Sequence, residues 1–75
     1  MTWRDIEKLI REDFDVCVEP HQRKNRYWIR QRGNVHYSIS SLQFEKLLEG
    51  GYIDPDYKVD RSGLYGAEQM VYTGR

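Results

Sequence analysis

The hydrophobic pattern of this 75-residue chain changes period along its length, and each period predicts a different kind of element. Apolar residues recur at helical spacing from Trp3 to Ile10, so residues 3–12 are predicted to form an amphipathic helix. Thr2 and Asp5, three positions apart, form a capping-box pattern at the start of this helix. The first element is therefore a helix with one apolar face.

After this helix the apolar residues alternate with polar ones, as in a half-buried strand. The first such stretch, residues 14–19, is predicted to end at Pro20, and the polar residues 21–25 are predicted to form a loop. Two more strands are predicted on either side of Gly33. A three-residue turn over residues 32–34 keeps the apolar residues of both strands on one face, with its glycine or its asparagine at positive φ.

A second helix is predicted over residues 41–49, because Ser40 and Gln43 form another capping box and Gly50 follows the apolar stripe. The segment after it is less regular. Within it, residues 70–73 can pair with residues 57–60 as a short hairpin.

These elements predict an α+β fold: helix, three-stranded antiparallel meander, helix (αβββα). Residues 1–53 are predicted to be the core domain and residues 54–75 a tail packed on it. Both helices are expected to cover one face of the sheet. The predicted core consists of the apolar residues at inward positions, namely Ile6, Leu9, Ile10, Val16, Val18, Ile29, Tyr37, Ile39, Phe44, Leu47 and Leu48.

The charges are balanced overall but unevenly distributed. The chain has twelve basic and twelve acidic residues, yet there is no carboxylate from Pro20 to Gln43. That stretch contains all the basic residues Arg23, Lys24, Arg26, Arg30 and Arg32. Zero net charge argues against coating nucleic acid nonspecifically, whereas one concentrated basic element with aromatic residues is typical of a docking surface.

The sheet face away from the helices is predicted to display this surface. Trp28, flanked by Arg30 and Arg32, is expected to be its exposed anchor, since a tryptophan among arginines can stack on a base or anchor a protein interface. Other outward positions are those of Cys17, Glu19, His36, Ser38 and Ser40. The predicted loop adds the cations Arg23, Lys24 and Arg26. The alternative is structural: Trp28 packs against an arginine, and Glu19 pairs with Arg30 across the strands.

Catalytic and metal chemistry have little support in the sequence. His36 is the one plausible acid–base residue, and with the nearby arginines it suggests RNA cleavage as an enzymatic alternative. Cys17, His21 and His36 do not form a metal-ligand spacing, so neither a metal nor a cofactor is expected.

Two resemblances add to these hypotheses. The stretch Arg30-Gln31-Arg32-Gly33-Asn34-Val35-His36 resembles the Arg-Gln-Arg-Gly-x-His-His segment of HicA-type toxin ribonucleases, which implies a small ribonuclease with His36 as its catalytic residue.

The order of elements from Thr2 to Gly51 resembles that of small phage anti-CRISPR inhibitors of Cas9. Local similarity lies in residues 9–12, in the glycine–asparagine hairpin and in the strand of residues 37–40. Such inhibitors often present an acidic surface, whereas this chain carries a basic hairpin. The resemblance implies an inhibitor that binds a host defence protein.

The leading hypothesis is a small non-enzymatic protein that occupies a macromolecular surface, either a protein or a protein–nucleic-acid complex. The alternative is a nucleic-acid-binding module, with the ribonuclease as its catalytic variant. With one cysteine and no long apolar run, the chain is expected to be cytoplasmic, without membrane contact, and a monomer or homodimer.

Overall fold

A computed structural model describes residues 1–33, 35–61 and 68–75. In chain order its elements are α1 (Trp3–Leu9), β1 (Phe14–His21), β2 (Lys24–Gln31), β3 (Val35–Ile39), α2 (Ser41–Glu49), β4 (Lys58–Asp60) and β5 (Gln69–Thr73). The strands form one antiparallel sheet in the spatial order β3-β2-β1-β5-β4. The predicted α+β class and the meander β1-β2-β3 are confirmed, and two further strands complete the sheet.

The turn between β2 and β3 has the predicted length. Ile29 pairs with Tyr37 and Gln31 with Val35, which leaves three residues in the turn. Gly33 has a φ of 84°, as expected for a glycine in a three-residue hairpin. Asn34, the other candidate for positive φ, lies outside the described residues.

The loop predicted at residues 21–25 is instead the end of a long hairpin. His21 pairs with Lys24, so β1 continues through Pro20 and β2 starts inside the predicted loop, at Lys24. Gln22 in the two-residue turn has a φ of 52°. Residue pairs of an antiparallel ladder alternate between hydrogen-bonded and non-hydrogen-bonded, and the nitrogen of Pro20 faces away from β2. On that side β1 has already passed its last residue pair with β5, so a residue without an N–H fits in the strand there.

The predicted tail contributes an internal strand. β4 and β5 pair as expected, with Val59 opposite Met70. β5 also pairs with β1, where Tyr72 lies opposite Val16. β1 therefore has a neighbour on both sides and is the central strand of the sheet. The alternation of apolar and polar residues does not predict that β1 pairs with β5, because the two strands lie far apart in the sequence.

Both predicted capping boxes are present, and α2 has the predicted bounds. The first helix is shorter than predicted and ends with Ile10 as its C-cap. The side-chain amide of Gln31 donates a hydrogen bond to the carbonyl oxygen of Leu9 at 2.8 Å. Gln31, a residue of β2, thus satisfies a carbonyl at the end of α1 that would accept a backbone N–H if the helix continued by another turn.

The main core lies between the two helices and one face of the sheet. Every predicted core residue belongs to it or packs against it. The core also contains residues outside the predicted core list, namely Phe14, Ile53 and Tyr72, with Trp3, Tyr27 and Met70 packed at its margin. Ile53, just before the 54–75 segment, is fully buried and bridges to Gly74 near the end of that segment.

Candidate functional site

The face of the sheet away from the helices, called here the open face, carries a buried apolar row across three strands. Trp28 on β2 lies opposite Cys17 on β1, and Cys17 lies opposite Val71 on β5. These three side chains form a second hydrophobic cluster, separate from the main core. The open face is therefore not a uniformly polar surface.

Trp28 does not have the exposed position predicted for it. Only 6% of the residue is exposed, and it belongs to a row with Cys17 on β1 and Val71 on β5. Its ring centroid lies 6.1 Å from that of His36, and the two rings are tilted. Trp28 is thus part of the wall of the open face and does not present a free stacking surface.

Arg30 is held by an acid of the neighbouring strand. Its Nη2 atom lies 3.1 Å from Oδ2 of Asp15, the residue directly opposite, and both side chains are about two-thirds to three-quarters buried. Burial is the largest single effect and lowers the pKa of Arg30, but the hydrogen bond to Asp15 and the nearby acidic groups together outweigh it and raise the pKa above its ordinary value.

The predicted pairing of Arg30 with Glu19 is wrong, because the strand register places Glu19 opposite Arg26. Arg32 in turn lies 3.6 Å from the carboxylate of Asp13, and both side chains are almost fully exposed. The predicted lack of acids near the basic stretch holds along the sequence only. In the fold, β1 and the residue before it bring carboxylates beside both arginines.

The remaining basic residues lie at the β1–β2 hairpin. Arg23 is in its turn, and Lys24 and Arg26 follow on β2, all three exposed. Since residue pairing with β3 begins only at Tyr27, the first three residues of β2 extend past the end of β3. This overhang and the start of α2 enclose a depression.

That depression, called here the basic groove, has a volume of about 770 Å³. It is lined by residues 24–28, His36 and residues 38–41. Among these described lining residues are two cations, one histidine and three serine hydroxyls, and none is a carboxylate. The groove therefore offers hydrogen-bond donors and positive charge to an anionic ligand.

A second pocket, at the opposite end of the sheet, has a different charge pattern. Its volume is about 440 Å³, and Arg30 and Arg32 line it together with Glu12, Asp13 and Asp15. The acids offset the arginines there. Among the sequence-predicted site residues, the fold thus brings Lys24, Arg26, Trp28 and His36 together in the basic groove and places Arg30 and Arg32 elsewhere.

His36, the candidate catalytic residue, is exposed on the edge strand β3 and lines the basic groove. It is the one histidine among the described residues that line this groove. Acid–base cleavage of a phosphodiester requires one group to accept a proton and another to donate one. The described lining supplies one histidine, two cations and no carboxylate.

Two polar residues of the open face were not predicted to be buried. Glu19 is fully buried opposite Arg26, and Gln69 is 4% exposed with its amide nitrogen 3.4 Å from the carboxylate of Asp60. For Glu19, the opposed basic residue was visible only once the hairpin register was known. No local feature of the sequence distinguishes Gln69 from a surface glutamine.

Cys17 is fully buried in the apolar row rather than displayed on the face. Burial, the largest effect, raises the pKa of its thiol to about 11. The thiol is therefore protonated at neutral pH and is a poor metal ligand. Within residues 1–33, 35–61 and 68–75, no three histidine, cysteine, aspartate or glutamate side chains are grouped as a metal site.

Neither helix in the described parts of the chain is long and apolar enough to cross a membrane. Comparison of the chain with models of protein families, with curated proteins and with solved structures gave no match.

Proposed function

We propose that this protein is a non-enzymatic binding protein that occupies a macromolecular surface and holds an anionic segment of its partner in the basic groove. The observation that carries the proposal is the composition of the described groove lining, which contains Lys24, Arg26 and His36 and no carboxylate. At physiological salt, charges act over about 8 Å, so this local excess attracts an anion although the chain is neutral overall.

The binding residues of this proposal differ from the Trp28-Arg30-Arg32 anchor expected from the sequence. Arg30 and Arg32 contact aspartates, and Trp28 lies in the groove wall. The main contacts are assigned to Lys24 and His36, with Arg23 extending the positive charge at the hairpin turn. Arg26 also lines the groove, but it lies opposite the buried Glu19. Inhibition of a host defence protein is one hypothesis for the biological role, and it depends on the architectural resemblance alone.

Binding has more support than ribonuclease activity. The described lining holds one histidine and no carboxylate, whereas general acid–base cleavage uses two proton-transferring groups. The cations and hydroxyls of the groove can bind a phosphate or a carboxylate without chemical change. His36 is therefore assigned to ligand contact.

The test is binding of fluorescent polyanions, measured by anisotropy at low and at physiological salt. The probes are a heparin oligosaccharide, a single-stranded oligonucleotide, a duplex and a glutamate-rich peptide. At least one of them is expected to bind, and Lys24→Glu should weaken that binding about tenfold or more, since it reverses a charge inside the groove.

Arg32→Glu is the matched control, because it makes the same change of charge at an exposed residue outside the groove. It should alter affinity much less than Lys24→Glu. The proposal is wrong if none of the probes binds at low salt, or if the two variants weaken binding equally.

A further inference from the structure

We infer that two copies of this chain associate through β4, which pairs antiparallel with β4 of the other copy across a two-fold axis at Val59. The two sheets then form one continuous sheet. This surface is separate from the basic groove of the proposed function. Three features of β4 support the pairing: a free hydrogen-bonding edge, a self-complementary pair of charges, and exposed apolar side chains.

β4 is an edge strand, since it is the last in the order β3-β2-β1-β5-β4 of the described sheet. The direction of its backbone groups follows from β5. The carbonyl oxygen of Thr73 accepts a hydrogen bond at 2.8 Å from the N–H of Asp54, which precedes β4, so the backbone groups of Thr73 point to the β4 side of β5. Because these groups alternate along a strand, those of Val71 and Gln69 point the same way.

The residues of β4 follow the same alternation. Lys58 lies opposite Val71, and Asp60 lies opposite Gln69. Lys58 and Asp60 therefore direct their backbone groups to β5, and Val59 between them directs its N–H and carbonyl away from the sheet. Two copies related by an axis at Val59 can exchange these groups in a pair of N–H···O hydrogen bonds, as in an ordinary antiparallel ladder.

The charges of β4 are self-complementary in this register. Pairing centred on Val59 sets Lys58 of each copy opposite Asp60 of the other, because the two residues are equally far from the axis. Lys58 is exposed, and Asp60 is partly buried with a carboxylate oxygen 3.4 Å from the amide nitrogen of Gln69. Opposite charges at directly opposed positions stabilise paired strands, and the axis creates two such pairs. This complementarity favours a second copy of the chain as the partner.

Apolar side chains are exposed on the other face of this edge. Val59 is 58% exposed and Tyr57 is 48% exposed. The ring centroid of Tyr57 lies 5.4 Å from that of Tyr72, and Val59 lies opposite Met70, so both adjoin residues that belong to the main core or pack against it. The axis places Val59 opposite its own copy and diagonally beside Tyr57 of the other chain. Pairing therefore extends an existing core.

The dimer leaves the basic groove of each copy free. β4 lies at one edge of the sheet, and β3, which carries His36 of the groove, lies at the other. Because β4 has three residues, the interface is small, and a dissociation constant in the micromolar range or weaker is expected.

The first experiment measures mass by sedimentation equilibrium at concentrations up to about 1 mM. The average mass should rise from the 9.1 kDa of one chain towards twice that value. Lys58→Asp sets like charges opposite each other in both pairs and should weaken association at least about tenfold. Lys24→Asp, the same change at an exposed position on β2, should associate like the unmodified protein. A protein that stays monomeric at every concentration would overturn the inference, as would equal effects of the two variants.

The second experiment exchanges charges between chains. Asp60→Lys sets lysines opposite lysines and, like Lys58→Asp, should disfavour association with itself. A mixture of the two variants restores opposite charges in both cross-strand pairs, so it should form a heterodimer about as stable as the unmodified dimer. Circular dichroism of each variant alone checks that it is folded. If two folded variants associate no better together than separately, the strands do not pair in this register.

The third experiment tests the position of the axis without a change of charge. Val59→Cys in a Cys17→Ala background sets two thiols across the axis, where opposed Cα atoms are about 5.5 Å apart and within reach of a disulfide. Because Val59 is exposed, this variant should keep the fold. It should form a covalent dimer rapidly under mild oxidation, whereas Leu42→Cys, at a 74% exposed residue of α2, should do so only by random collision. Equal rates of cross-linking would overturn the inference.

Discussion

Arg30 and Asp15 lie directly opposite each other on adjacent strands, with Nη2 of the arginine 3.1 Å from Oδ2 of the aspartate. The contact joins an arginine of the acid-free stretch to an acid that precedes that stretch in sequence. It shows why a local excess of positive charge along a chain does not give the charge of a surface. Strand pairing decides which basic residues remain available to a ligand.

The Arg30–Asp15 pair is expected to stabilise the fold measurably. Both side chains are mostly buried, so a double-mutant cycle with Arg30→Met and Asp15→Asn should give a coupling of about 1 kcal/mol in urea unfolding. The Arg32–Asp13 pair, whose side chains are about 90% exposed, is the comparison and should show no measurable coupling. Equal couplings for the two pairs would contradict the role assigned to burial.

Trp28 is expected to be a stability residue as well as a wall of the groove. Trp28→Ala removes the largest side chain of the open-face cluster and should lower the free energy of unfolding by about 3 kcal/mol. Tyr57→Ala, at a residue that is 48% exposed, should cost much less. Chemical denaturation followed by circular dichroism measures both. An effect of Trp28→Ala as small as that of Tyr57→Ala would show that the cluster does not pack as described.

Cys17 should make stability depend on pH above neutrality. Its thiol has a pKa of about 11 in the folded protein, against an ordinary value of 9.0. As pH rises from 9 towards 11, the unfolded chain releases this proton and the folded chain keeps it, so unfolding becomes more favourable. The contribution is fully present below pH 9 and is lost through that window.

The measurement is urea unfolding of the protein and of Cys17→Ala between neutral pH and pH 11. The difference in stability between the two proteins should shrink as pH rises above 9, because only one of them carries the thiol. Thiol labelling at neutral pH should be slow in the folded protein and fast in urea. Fast labelling of the folded protein would place the thiol at the surface.

The segment of residues 54–75 is expected to be required for folding. β5 pairs with the central strand, and Tyr72 belongs to the main core. A chain of residues 1–53 loses both and leaves one edge of β1 unpaired, so we expect no cooperative unfolding transition from it. A sigmoidal urea curve for residues 1–53 would show that they fold independently.

A point variant tests the same docking without truncation. A methyl group at Gly74 would lie 2.7 Å from the carbonyl oxygen of Phe14 and would also meet the Phe14 ring. Gly74→Ala should therefore destabilise the protein by about 1–3 kcal/mol. Thr73→Ala, at the adjacent exposed residue, should have a small effect on the same denaturation curve.

Local patterns predicted the elements that depend on near neighbours. The capping boxes at Thr2 and Ser40, the bounds of α2 and the three-residue turn at Gly33 were all predicted from the sequence. Each involves residues within a few positions of one another. Their geometry is therefore largely encoded in short segments of the chain.

The long β1–β2 hairpin was missed because Pro20 and a polar run are usual signs of a chain break. The strand continues through Pro20 because its nitrogen faces the side of β1 where pairing with β5 has ended. Whether a proline is tolerated in a strand depends on the neighbouring strand, so it is decided by the assembled sheet.

The sequence by itself determined the two helices, the meander, most of the main core and the basic character of residues 20–43. Only the tertiary structure decided which basic residues line a groove. Pairing of β5 with β1 placed Val71 beside Cys17 in the row that includes Trp28, and the register of β1 on β2 placed Asp15 beside Arg30. The physical reason is that strand neighbours come from distant parts of the chain, and burial and charge neutralisation depend on those neighbours.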